Sequence, residues 1–476
     1  MAHSITNKLR GTLAAFIALV AALLLVPGTA FADPAVMGNG ILKVAGLHDG
    51  DNVEIYKIVD IKVDGESNQL EYSWANGYDD TTFGITLEEY LNGVENSDSA
   101  EKNADVIAAY LAAREIEPTA SGKVDSRDEM GNWRYTFRDL TSGQYLIKVN
   151  NENDATRVYQ TTIGSVAPKA VDGEWVMETV ENYTQVNLKS DSLNPAKNIA
   201  GKDSVDNLSI GDRVLFTLYV TIPEYTDTTD RTFVVSDEMD PTFQFDGLRG
   251  NGVNINRDYY TFEQVDNQHF SVAINEEGLK EHAGERLRIE YYAVVTSDAS
   301  YDTALANTMS VTFSTDSVSD NIETAEDTVY ATVYAAQFQK NAADTNKGLP
   351  GAVFEVYKKG DTPGEDAPVL TAESDENGLL SFDGLGAGEY ILHEKSAPAG
   401  YKLAADMEFT IESDVQEDYS GTVQDFTGTA IVDEVVNPAE ELPTTGGAGT
   451  VAFTAAGVVI MAGAAAFIIR SRKNNN

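Results

Sequence analysis

Apolar and polar residues alternate along most of the chain between its two ends. In 213–223, Val214, Phe216, Leu218, Val220 and Ile222 fall on one face at period two; Leu287, Ile289, Tyr291, Ala293 and Val295 repeat the pattern. A period of two marks a half-buried strand, because successive side chains point to opposite faces of a sheet. Turn-forming clusters such as Asp375-Glu376-Asn377-Gly378 separate these runs. Helical spacing is found in one place, about 100–116, where Ala104, Ile107, Ala108, Leu111 and Ala112 form a stripe. The pattern predicts a mainly β chain of tandem Ig-like β-sandwich domains in an extended rod, with one helical insertion in the N-terminal domain.

Each end departs from the alternation. Residues 1–32 read as a secretory signal peptide: Lys8 and Arg10, an apolar run over 11–26, then the small-x-small site Ala30-Phe31-Ala32. At the other end Leu442-Pro443-Thr444-Thr445-Gly446 precedes an apolar run over 451–469 and a basic tail, 470–476, with Arg470, Arg472 and Lys473. As a transmembrane helix that run spans roughly 28 Å, close to the hydrocarbon core of a bilayer, and the tail stays on the cytoplasmic side. A membrane-held precursor is expected, with a mature chain of 33–445.

Charge narrows the partners. The 476 residues carry a net charge of -43, with every acidic residue lying between Asp33 and Glu441. Such a field repels a nucleic-acid backbone and keeps a surface protein soluble. The absence of cysteine excludes disulfides, zinc–thiolate sites and thiol nucleophiles. An exported chain of this size without disulfides needs another source of robustness. Neither the five histidines nor any phosphate-binding or nucleophile-elbow motif points to a metal or cofactor. Asp pairs such as Asp79-Asp80 read as solvated turns, with weak calcium binding the alternative.

An internal repeat helps to set domain boundaries. Residues 139–149, Asp-Leu-Thr-Ser-Gly-Gln-Tyr-Leu-Ile-Lys-Val, align with 384–394, Gly-Leu-Gly-Ala-Gly-Glu-Tyr-Ile-Leu-His-Glu. The first and last domains are therefore expected to be related sandwiches. The expected domains are 33–187, 190–330 and 334–438, joined by the short spacers 189–195 and 328–334.

The residues now carry a family resemblance. Phe338-Gln339-Lys340, the run 348–357 and the segment 390–401 resemble a collagen-adhesin B-type domain, the last of these its E-box. The pentapeptide 442–446, with helix and tail, resembles the sorting signal that sortases cut in Gram-positive bacteria. The whole chain is similar to the backbone subunit of sortase-assembled pili. The resemblance implies a cut between Thr445 and Gly446 by a class C pilus sortase, transfer of the Thr445 acyl group to a lysine of an identical subunit, head to tail, and final attachment to peptidoglycan by a housekeeping sortase. A monomeric wall-anchored adhesin for a host surface ligand, protein or glycan, and an accessory basal or tip pilin share the end signals. A wall-anchored hydrolase lacks a recognisable catalytic set.

Several polar residues occupy positions where alternation demands an apolar side chain. Tyr334, Ala336, Phe338 and Lys340 share one face; Tyr390, Leu392 and Glu394 share another; Val435 and Asn437 a third. Burial lowers the pKa of a lysine and raises that of a glutamate. A neutral Lys340 amine beside the Asn437 carboxamide is a nucleophile, with Glu394 as proton shuttle. The products are an isopeptide bond and ammonia, as in the family's self-formed crosslinks. The alternative is a Lys–Glu ion pair with Asn437 in a turn. In the middle domain Lys197, Asp237 and Asn307 sit in the same way on strand faces. They resemble the A-type domain of such pilins, which implies Lys197 as nucleophile, Asn307 as electrophile and Asp237 as proton donor, with Lys202 the competing nucleophile. The first domain has Val149 where the repeat puts Glu394, and Lys43 lacks an evident acid, so no crosslink is expected there. The family's acceptor lysine lies between its first two domains in a Val-x-Val-Tyr-Pro-Lys motif. Here Val186-Asn187-Leu188-Lys189 matches only at Val186 and Lys189. Otherwise Lys189 is a solvated linker residue and Lys197 or Lys202 the acceptor.

Overall fold

The computed structural model describes residues 35–64, 67–94, 97–151, 153–177, 184–225, 228–301, 303–315, 322–413 and 430–437. The expected signal peptide, sorting pentapeptide, transmembrane run and basic tail lie outside the described residues. No helix among those described is long and apolar enough to cross a membrane.

The chain is mainly β, as the alternation requires. In the first third, Gly40–Ala45 lies between Arg134–Leu140, antiparallel, and Thr184–Asn187, parallel. A second sheet centres on the long strand Asp51–Asp64, flanked by Gly143–Asn151 and Ala120–Lys123, with Thr162–Val166 beyond Gly143–Asn151. Leu42 and Val44 from one sheet and Val53, Ile55 and Ile147 from the other share one apolar core.

The last third repeats this plan strand for strand. Tyr334–Ala342 lies between Leu379–Leu385, antiparallel, and Ala430–Asn437, parallel. The facing sheet runs Leu370–Glu373, Val353–Lys358, Gly388–Ser396, Met407–Ile411. The repeated segments supply the same strand in each, Gly143–Asn151 and Gly388–Ser396.

Between them, a four-stranded sheet (Ala196–Ile199, Arg213–Thr221, Arg286–Val295, Phe243–Val253) packs on a six-stranded one built on Phe233–Met239, Leu305–Ser314 and Ile322–Ala331. Arg213–Thr221 and Arg286–Val295 bury alternate side chains as their sequence predicts.

The helical insertion differs from expectation. It comprises two helices, Leu87–Val94 and Ser97–Ala113, placed between Gln69–Trp74 and Ala120–Lys123. The second stops short of residue 116 because Glu115 adopts a left-handed conformation, φ 50°. It buries Ala104, Ile107, Ala108 and Leu111 against Tyr56, Ile58 and Leu146.

Both junctions are tied by hydrogen bonds. Ser190–Ser192, in the linker, pairs antiparallel with Arg157–Tyr159 of the first sandwich, and Val158 joins the middle core. Only Thr332 and Val333 separate Ile322–Ala331 from Tyr334–Ala342. There the Ile210 amide donates to the Gly384 carbonyl (2.9 Å) and the Ala387 amide to the Asp206 carbonyl (2.6 Å). Lys358 Nζ lies 2.7 Å from both oxygens of Asp212.

Candidate functional site: buried amines facing acids

In the middle sandwich Lys197 stands on the edge strand Ala196–Ile199, opposite Leu218, with its side chain directed into the core. It is 1% exposed. Asp237 and Asn307 reach the same point from neighbouring strands of the facing sheet, each also 1% exposed. Lys197 Nζ donates to Asn307 Oδ1 at 2.5 Å and to Asp237 Oδ2 at shorter range. Phe216 and Tyr291 wall the amine, their ring centroids 5.6 and 5.8 Å away. With so little water, desolvation lowers the Lys197 pKa against the pull of Asp237, and raises that of Asp237 against the pull of Lys197. Both shifts favour the uncharged pair, an amine with a free lone pair beside a protonated acid. The Lys197 backbone amide donates to Asp327 Oδ2 at 2.6 Å, pinning the edge strand to Ile322–Ala331.

Two participants escaped the sequence reading. Tyr291 sits at period two among Leu287, Ile289, Ala293 and Val295 and reads as core. In fact its hydroxyl accepts from Asn307 Nδ2 (2.6 Å) and donates to Asp237 Oδ1 (2.9 Å). The available signal was its hydroxyl, which needs a partner when buried. Asp327, on a strand with an irregular burial pattern, gave no signal.

In the last sandwich Lys340 is 0% and Glu394 1% exposed. Lys340 Nζ lies 3.8 Å from Glu394 Oε1 and 5.2 Å from the Phe354 ring centroid. Desolvation lowers the lysine to about 8, Glu394 opposing. The Ala404 amide donates to Glu394 Oε2 at 2.6 Å, orienting the carboxyl. Asn437 is the final residue of Ala430–Asn437, its backbone opposite Ala342 and two residues beyond the partner of Lys340. Its side chain lies outside the described residues.

Lys189 is exposed, in the gap between Thr184–Asn187 and Ser190–Ser192, and its carbonyl accepts from the Gln160 amide at 3.1 Å. Lys202 is exposed in a turn, where its backbone exchanges hydrogen bonds with Ile199. It is not brought to Asn307. Lys43 is half-buried, and Val149 packs beside the first core. That sandwich buries a different lysine: Lys57 Nζ donates to Thr141 Oγ1 and pairs with Asp60 Oδ1, both at 2.6 Å. Asp79 and Asp80 accept from Thr81, Thr82, Trp74 and Leu87, as solvated turns do.

An amine, a carboxamide and a carboxylic acid held together in an apolar core can exchange the amide nitrogen: the amine attacks the carboxamide carbon and ammonia leaves.

Comparison with known proteins locates two families in the chain. Residues 335–425 match a prealbumin-like fold domain of the SpaA type, and 434–476 match the LPXTG cell wall anchor motif. The protein is therefore a cell wall-anchored surface protein. Its fold resembles that of the T6 backbone pilin of serotype M6 Streptococcus pyogenes: TM-score 0.58, 19% identity, 81% of each chain covered. It also resembles the full-length major pilin SpaD of Corynebacterium diphtheriae: TM-score 0.55, 18% identity, 85% of this chain and 98% of that one. No curated protein sequence matches the chain.

Proposed function

We propose that the chain is the shaft subunit of a sortase-assembled pilus, polymerised through Thr445 and Lys189 and stiffened by Lys197–Asn307 and Lys340–Asn437 isopeptide bonds. The observation that carries this reading is the middle core, where an amine, an acid and a carboxamide meet, each 1% exposed. A buried ion pair alone is a poor explanation of the cluster, since such a pair scarcely breaks even against apolar packing. Asp237 and Glu394 serve as the proton shuttles. The three-domain pilin-like fold and the anchor motif support the shaft role. The exposure of Lys189 at the first junction supports it as the acceptor. A class C sortase joins subunits and a housekeeping sortase attaches the last one to peptidoglycan.

Wall extracts of the expressing cell should hold a ladder of boiling-resistant, high-mass species that collapses to monomer on Lys189→Ala. A ladder indifferent to that substitution removes Lys189 from the mechanism; a single discrete wall-bound band favours a monomeric adhesin. The purified mature chain should weigh two ammonia molecules less than its translated sequence, and Asp237→Ala and Glu394→Ala should each restore one.

A further inference from the structure

Forming an isopeptide bond moves one proton a defined distance. Lys197 begins as an NH2 group and ends as an amide N–H; the Asn307 nitrogen begins as an NH2 group and departs as NH3. The Nζ–Cγ bond forms, the Cγ–Nδ2 bond breaks, and one proton passes from Nζ to Nδ2. No oxidant, metal or water is consumed.

The middle core contains a continuous path for that proton. Lys197 Nζ contacts Asp237 Oδ2; Asp237 Oδ1 accepts from the Tyr291 hydroxyl (2.9 Å); that hydroxyl meets Asn307 Nδ2 (2.6 Å). All four residues are at most 1% exposed, so bulk water does not supply a competing route. We propose that Tyr291 is a catalytic residue of the middle-domain crosslink, relaying the proton from Asp237 to the departing Asn307 nitrogen. The inference rests on the crosslink reading given above.

The direction of the hydrogen bonds explains the timing. In the ground state Nδ2 is a planar amide nitrogen without a basic lone pair, so it donates to Tyr291 and Tyr291 donates to Asp237. Attack by Nζ makes Cγ tetrahedral and Nδ2 a basic amine. The chain then reverses: the protonated Asp237 carries its proton on Oδ1, and that O–H and the Tyr291 hydroxyl turn about, so the attacking nitrogen loses a proton to Asp237 Oδ2, Oδ1 gives its own to Tyr291, and Tyr291 gives its own to Nδ2. The tetrahedral carbon collapses, ammonia leaves, and both Asp237 and Tyr291 regain their starting protonation. A nitrogen anion is never expelled, which is the step an uncatalysed amide exchange cannot manage at neutral pH. The ring of Tyr291 is fixed by stacking on Phe216 (centroids 5.3 Å apart) and by edge contact with Phe270 (4.9 Å), so its hydroxyl is held in place before reaction.

The test follows crosslinking in the full mature chain after pulsed cell-free synthesis, with aliquots quenched in denaturant, digested and weighed. The Lys340–Asn437 bond in the same molecules is the internal clock for folding. Tyr291→Phe should slow the Lys197–Asn307 bond at least tenfold, within the range of general acid–base contributions, and leave the last-domain bond at its usual rate. Equal middle-domain rates in this variant and the parent overturn the relay. Tyr291→3-fluorotyrosine, which keeps the hydroxyl and the shape but makes the phenol more acidic, guards against a variant that merely packs badly. A relay requires its rate and pH profile to change, and an unchanged profile overturns it. A parent chain forming no Lys197–Asn307 bond at all sinks the crosslink reading itself, a separate outcome.

Discussion

The first and last sandwiches share strand order, a parallel pair and a repeated strand, yet the last buries Lys340 against Glu394 while the first buries its lysine elsewhere, Lys57 with Asp60. Registers locate the difference. Leu42 pairs with Phe137 as Ala336 pairs with Phe382, so counting along the strands puts Gly46 at the position of Lys340. Val149 takes the place of Glu394, and counting on from Asn187 and Glu434 puts Ser190 at the place of Asn437. Gly46 has φ +79°, and a Cβ there would lie 2.4 Å from the Leu188 carbonyl oxygen. A lysine cannot be accommodated by side-chain exchange alone. In this region the first sandwich uses hydrogen bonds instead. Tyr159, whose backbone pairs with Ser190, donates to buried Asp51 (2.5 Å), which also accepts from Asn151 (2.6 Å) and the His48 amide (2.6 Å). One topology thus admits either a buried lysine–glutamate pair, the seat of the proposed crosslink, or a hydrogen-bonded fastening.

The largest effect expected from this contrast is in the last sandwich. Lys340→Ala should restore one ammonia mass and lower stability by roughly 4–5 kcal/mol, by analogy with the chain entropy of a disulfide closing a loop of about a hundred residues. Unfolding in denaturant measures it, and a loss below about 1 kcal/mol would break the comparison. In the parent chain the crosslink needs the neutral amine. Its rate should therefore rise about tenfold per pH unit below about 8 and level off above.

A smaller effect is expected where the repeat's loop meets its neighbour. A Cβ on Gly386 would lie 2.4 Å from the Asn207 carbonyl carbon and 2.7 Å from the Leu208 amide nitrogen, both backbone. Gly386→Ala should cost about 1–3 kcal/mol and speed hydrogen exchange around 206–210. Thr141 holds the matching place in the first sandwich, where the Met37 carbonyl takes the role that Asp206 plays in the last, accepting from Ser142 as Asp206 does from Ala387. The smallest effect is that of Val149→Glu, which supplies the acid without the amine. Its mass should show no crosslink, and the half-buried site should lose about 1 kcal/mol by thermal denaturation.

Lys197, Asp237, Asn307, Lys340 and Glu394 were legible because a charged or amide side chain interrupting a period-two apolar face has few innocent explanations. Tyr291 was not, since an aromatic ring satisfies the same pattern whether or not its hydroxyl works. Lys57 carried the same signal, falling at period two among Val53, Ile55, Val59 and Ile61, yet it was not singled out. The helix Leu87–Val94 is short, yet its Thr86–Glu89 capping box, with Thr86 and Glu89 exchanging backbone-to-side-chain bonds at 2.9 and 3.1 Å, was readable in the sequence. The strand pairing that relates the first and last sandwiches needed coordinates, because a parallel contact between strands 95 or 142 residues apart leaves no local trace.

The position of Lys189 at the rim of the first sandwich has a consequence for a pulled fibre. With a neighbour attached at that amine and both proposed isopeptide bonds closed, the covalent route to the next subunit would run through 189–197, cross to 307, continue to 340, cross to 437 and leave at 445. The stretches 198–306 and 341–436 would be bypassed, which leaves 307–340, with its antiparallel pair Leu305–Ser314 and Ile322–Ala331, as the main contour able to yield when stretched. The whole of 33–188 hangs beside that route as a pendant, which leaves it free to vary its surface without lengthening the thread.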